Sequence, residues 1–197
     1  MSKPEKIASG AMTVLTLIAV YAFFAFKYPY HLHFQEQYQL FEATWAYFAS
    51  VGCVPGGFAD WLGRGLTQFF YYAPAGAAIM AVLLMGVQLL CWAVCKGRTL
   101  PVYALTFLPV ILLLAFYCDE NSLTGGAVAL LLSLGAAALI LRMGRDKVRF
   151  LTEMILVPLL YFLCGPLALT FAVVTAVREI ASGGKKGLIP LCGMLAL

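Results

Sequence analysis

Between residues 65 and 95 the chain carries no charged side chain. About 20 predominantly apolar residues are enough for a helix to cross a hydrocarbon core of roughly 30 Å, so this run is longer than one crossing needs. Its first part, as far as Tyr72, reads as an interfacial helix, and Pro74, which fits the first turn of a helix, opens the crossing. Residues 7–26, 99–118, 121–141 and 154–177 form further uncharged apolar runs. The 197 residues are 63% apolar and 11% charged, against roughly 45–50% and about 25% in soluble domains. A soluble domain of this size lacks the interior to hide such a surface. Disorder, which needs low hydrophobicity and high charge, is excluded. Six cysteines, most of them inside apolar runs, do not make a secreted disulfide scaffold.

Basic residues collect in cytoplasmic loops close to membrane spans. With the N-terminus inside, Lys3, Lys6, Lys96, Arg98, Arg142, Arg145, Lys147 and Arg149 are all cytoplasmic. If residues 154–177 fold as a hairpin at Cys164-Gly165-Pro166, then Arg178, Lys185 and Lys186 join them, and eleven of the thirteen basic residues lie inside, with Lys27 and Arg64 outside. A single span there would break the pattern. Residues 188–197 begin a further apolar run too short to cross. The expectation is therefore an all-α fold: a polytopic transmembrane helical bundle of about six spans plus a truncated seventh. It forms one domain over 1–197, read as the N-terminal part of a longer protein in a bacterial inner membrane. The apolar run near the N-terminus is too long for a cleaved signal peptide and reads as a signal anchor.

The long connection, residues 27–72, holds both histidines and two of the three tryptophans. It reads as two interfacial amphipathic helices, 37–51 and 58–72, separated by Cys53-Val54-Pro55-Gly56-Gly57. In the first, Phe41, Trp45 and Phe48 share a face. In the second, Phe58, Trp61, Leu62, Leu66 and Phe69 point toward lipid or core, and Asp60, Arg64 and Gln68 form a polar stripe. The stretch His31-Leu32-His33-Phe34-Gln35-Glu36-Gln37 concentrates polar groups at the mouth of the first span. His31 and His33 supply two ligands and the spacing fixes no third, so no metal site is expected. Glu36, the proton acceptor, and Asp60, which would orient Arg64 from one turn away, are the candidate catalytic residues, and Arg64, which would stabilise charge on a departing phosphate, Gln35, Gln37, Gln68, His31 and His33 are candidate substrate contacts. There is no phosphate-binding loop, nucleophile elbow, zinc-protease motif or dinucleotide fingerprint. Topology accounts for the basic residues, so no nucleic-acid partner is implied, and the residues identify no cofactor.

The segment from His31 to Tyr72, with its HFQEQYQLF, PGG, ADWLGR and LTQFFYY stretches, resembles an uncharacterised family of bacterial multipass membrane proteins. That resemblance implies location and architecture. Glu36-Gln37 followed by interfacial helices, the Pro55-Gly56-Gly57 turn, Leu62-Gly63-Arg64 and the Phe69-Phe70-Tyr71-Tyr72 entry to the next span is also similar in layout to the glycosyltransferase C superfamily. That likeness implies an acidic base or metal contact at Glu36 and a polyprenyl-phosphate-linked substrate. The chain departs from it in having Glu where many members use Asp and in lacking a paired acidic motif. Three functions follow as expectations: a non-catalytic envelope component or membrane anchor in contact with membrane lipid, a glycosyltransferase C-like enzyme, or a transporter.

Overall fold

Ser2 and Glu5 form a reciprocal capping box that starts helix α1, Lys3–Ala22. The apolar run continues through one wider turn, Phe23–Lys27, and Pro29 opens α2, Pro29–Tyr38. The computed structural model of the chain describes residues 2–95, 97–119, 121–144 and 147–181. The helices that follow are α3 (Trp45–Val51), α4 (Gly57–Thr67), α5 (Ala73–Val94), α6 (Leu100–Leu105), α7 (Leu108–Phe116), α8 (Gly125–Ile140), α9 (Lys147–Cys164) and α10 (Leu169–Ile180). No strand occurs among the described residues. Residues 188–197, on which the truncated seventh span rests, lie outside them, as do Lys96, Arg145, Lys185 and Lys186 of the charge pattern.

Three helical stretches are long and apolar enough to cross a membrane: Lys3–Lys27, Ala73–Val94 and Val148–Ile180. Leu100–Phe116 and Gly125–Ile140 are shorter apolar helices. The expected third run is broken between α6 and α7, where Pro109 has no N–H to give and its ring opposes the carbonyl one turn back. Large apolar side chains stand outward along the helices, among them Leu15 and Ile18 on α1, Ile111 and Leu112 on α7, and Leu151 and Ile155 on α9. In water such a girdle would be an aggregation surface; in hydrocarbon it is matched to its solvent.

The core sits where α5 and α8 cross. α5 also packs on α1, and α8 also packs on α4, α9 and α10. Phe24, Phe70, Met80, Leu84, Tyr117 and Phe171 are fully buried there. Gln88 of α5, completely buried, donates to the Thr106 hydroxyl at 2.9 Å between α6 and α7. Such an interhelical hydrogen bond satisfies part of an amide that hydrocarbon cannot solvate.

The stretch Val148–Ile180 doubles back. Gly165 has φ of 60°, and the chain reverses through Gly165–Ala168 before α10. Arg149 at the start of α9 contacts Glu179 at the end of α10, Nη2 to Oε2 at 3.5 Å. A straight helix would hold those residues about 45 Å apart. This is the hairpin that the charge pattern called for, turning at the expected Cys164-Gly165-Pro166.

The bundle therefore has two ends. At one end lie residues 27–72, the α8 N-terminus and the hairpin turn. At the other, Arg178 donates to the Val94 carbonyl at 3.1 Å, Arg98 stacks over Trp92, and the Thr13 and Tyr103 hydroxyls are hydrogen-bonded. The basic residues grouped together by the sequence share that far end where they are described.

Candidate functional site

Residues 27–72 fold as a cap of three α-helices rather than two. The expected helix 37–51 is interrupted, since α2 runs on to Tyr38, residues 39–44 leave the helix, and the Thr44 hydroxyl caps α3 by accepting from the Tyr47 N–H at 3.2 Å. The aromatic rings still converge despite the break. Phe41, Phe48 and Phe58 surround Trp61, with ring centroids 5.6, 5.1 and 6.4 Å away. Trp45 packs on Phe48 from outside and is itself largely exposed.

The closest approach of α4 to the bundle is made by a stripe of small residues. Ala59, Gly63 and Thr67, at helical spacing, are buried. A Cβ built on Gly63 would lie 2.3 Å from the Gly125 nitrogen, and one on Gly125 would lie 2.8 Å from the Asp60 Cα. The backbones of α4 and α8 thus cross in direct contact, which only glycine permits. A second backbone contact closes the hairpin turn against the cap. Gly56, at φ 80°, donates its N–H to the Phe162 carbonyl at 2.8 Å, and a Cβ there would lie 3.1 Å from the Gly165 Cα. Both positions have the left-handed backbone that favours glycine.

Between these two contacts lies a cleft of about 550 Å³, walled by Gly56, Gly57, Asp60, Arg64, Gly125 and Leu167 among others. Its charged side chains are Asp60 and Arg64, paired Oδ2 to Nε at 2.9 Å as their i, i+4 spacing allows. Arg64 Nη1 also donates to the Tyr47 hydroxyl at 3.4 Å, and that hydroxyl donates to the Leu40 carbonyl at 2.8 Å. Burial opposes the guanidinium charge, but the Tyr47 hydroxyl and the Asp60 carboxylate outweigh it and raise the Arg64 pKa. Arg64 is therefore a fixed cation, and its pairing with Asp60 leaves the cleft wall neutral overall.

The remaining candidates divide between the interior and the surface. Gln35 is fully buried and donates from Nε2 to the Ser122 carbonyl at 2.9 Å and hydroxyl at 3.0 Å, tying α2 to the segment before α8. His31 is buried one turn earlier, with its ring 5.5 Å from Tyr28. Gln68 donates to the Gln39 carbonyl at 3.0 Å and holds the cap against its own α2 end. Gln35 and Gln68 thus tie the cap to itself and to the bundle. His33 and Glu36 are half-buried and Gln37 is exposed. Glu36 does not line the cleft that holds Asp60 and Arg64. Among the described residues no three His, Cys, Asp or Glu side chains converge as metal ligands.

Sequence reading missed two groups. Tyr47 completes the Arg64 environment across a helix break that periodicity does not register. At the far end, Arg149 pairs with Glu153 at 2.9 Å, and both are buried, with Glu179 closing the triad. The available signal was Arg149-x-x-x-Glu153 beside an acidic residue at the mirrored position of the returning helix.

The chain matches a family of unknown function, DUF6057, over residues 3–197. No curated protein and no solved structure matches it.

Proposed function

The chain belongs to DUF6057, a family with no assigned activity, and we propose that its role is that of a non-catalytic, six-span component of the bacterial inner membrane, with its N-terminus in the cytoplasm and its cap on the outer face. The observation that carries this reading is the fusion of cap to bundle. Backbone contacts at Gly63–Gly125 and Gly56–Gly165 make residues 27–72 a fixed part of the membrane domain. The only carboxylate proposed as a base, Glu36, stands outside the cleft that holds Asp60 and Arg64. A glycosyl-transfer reading needs an acceptor base within reach of the charge-stabilising cation, in one solvent-shielded cavity.

Complementation of a deletion strain tests this. Glu36→Gln, made at normal abundance, is expected to restore the envelope phenotype fully, because it keeps shape and hydrogen bonding and removes only the proton acceptor. Loss of complementation by that variant would overturn the non-catalytic reading and favour the enzyme.

Orientation has its own measurement. Cys53, exposed in the turn before α4, is expected to react with a membrane-impermeant thiol reagent added from outside well before half-buried Cys95 at the far end. Labelling of Cys95 with Cys53 protected would reverse the topology. A reporter fused after Ala181 is expected to read cytoplasmic, as six crossings require.

A further inference from the structure

A second groove, of about 420 Å³, lies between the cap and the faces of α5 and α8. Phe41, Trp61 and Leu66 form its upper wall, and Leu83, Val128 and Leu132 its lower one. Its volume falls within the range typical of small-ligand sites. We propose that this groove holds one acyl chain of an outer-leaflet phospholipid.

The medium decides the occupant first. Leu83 sits midway along α5, a helix apolar enough to cross a membrane, and Val128 and Leu132 lie within the apolar helix Gly125–Ile140. The groove therefore descends from the cap toward the middle of the bundle, where the surrounding solvent is hydrocarbon. No wall residue carries a charge, so nothing there would hold a polar peptide or a sugar.

The second argument is an orphaned donor. Trp61 is a wall residue whose indole N–H is buried and has no hydrogen-bond acceptor among the described residues. A buried indole N–H ordinarily finds a partner, and the ester carbonyl at the head of an acyl chain is an acceptor of the right kind and depth. The third is the neighbouring cation. Arg64 follows Trp61 at i+3 and so projects from the adjacent surface of α4. Its Nε and Nη1 are engaged by Asp60 and Tyr47, and Nη2 has no protein partner among the described residues. A phospholipid supplies acyl chain, ester carbonyl and phosphate in that order, toward the groove, the indole and the guanidinium. The inference rests on the membrane reading above, and the experiment separates the two.

Gly65 gives the test its variant. A Cβ there would meet the Phe41 ring at 3.5 Å, an ordinary contact, so Gly65→Leu extends into the groove without forcing α4, and it exchanges glycine for a good helix former. The full chain is purified, stripped of lipid, and titrated with dioleoylphosphatidylglycerol under native mass spectrometry, alongside carbonate extraction of the source membranes. The expected result is one tightly retained lipid per chain. Retention should weaken at least about tenfold in Gly65→Leu, through lost chain burial, and roughly three- to tenfold in Trp61→Phe, through the lost hydrogen bond, with helical circular dichroism unchanged in both. A wild-type chain that retains no lipid, equal retention in Gly65→Leu, or a dimer that Gly65→Leu dissociates would each overturn the proposal. Release of the protein by carbonate would instead sink the membrane reading on which it depends.

Discussion

Gly63→Leu is expected to cost about 3 kcal/mol or more and to unseat the cap, whereas Gly65→Leu, two residues away on the same helix, is expected to leave stability unchanged or raised by up to about 1 kcal/mol. The difference lies in what each new side chain meets. At Gly63 the first added carbon would lie 2.3 Å from a backbone nitrogen of α8 and 2.5 Å from the Gly125 Cα. No rotamer relieves a clash between backbones, so the two helices must separate. At Gly65 the nearest atoms belong to the edge of an aromatic ring at ordinary contact distance. The measurement is thermal unfolding of the purified protein in one detergent, with limited proteolysis at the 39–44 connection as a local readout. Equal midpoints for the two variants would mean that the Gly63–Gly125 crossing does not hold the cap.

The second large effect concerns the far end. Arg149→Met is expected to destabilise the protein by about 3–5 kcal/mol, because it takes from the buried Glu153 carboxylate the cation 2.9 Å away and removes the Arg149–Glu179 contact across the hairpin. The double variant Arg149→Met/Glu153→Leu should recover most of that loss, since it removes the stranded charge together with its partner. Midpoints of thermal unfolding ordered wild type, double variant, single variant are the expected outcome. A double variant no better than the single would show that Glu179, and not Glu153, is the partner that requires Arg149. The triad joins the start of α9 to the end of α10, so its loss should loosen the hairpin where the Gly56–Gly165 contact cannot compensate.

The two effects sit at opposite ends of the bundle, and each depends on a feature of a different physical kind. At the cap end the helices are joined by the absence of side chains. Glycine on both partners lets main chains touch, and dispersion acts over a close backbone contact. At the far end, charge is admitted to the interior only because it is paired within 2.9 Å on α9 and again across the hairpin.

What the residues determined by themselves are the features that act over a few positions or against the solvent. The uncharged runs, the Pro74 start of α5, the Asp60–Arg64 pair and the turn at Cys164-Gly165-Pro166 were all legible, because helix periodicity, proline geometry and i, i+4 reach are local. The clustering of basic residues at one end followed from the same run lengths. Tertiary structure alone decided which face of each helix meets which neighbour. Periodicity set the aromatic side of α4 toward lipid or core, but only the packed chain brings the stripe Ala59, Gly63 and Thr67 onto α8, because the matching Gly125 lies some sixty residues away and no local signal connects the two. In the same way, only the packed chain sends Gln35 inward to Ser122, leaves Glu36 off the wall of the Asp60–Arg64 cleft, and sets Arg149 beside Glu179. Those choices arise from long-range complementarity of shape and charge, which a sequence fixes only once its helices have found one another.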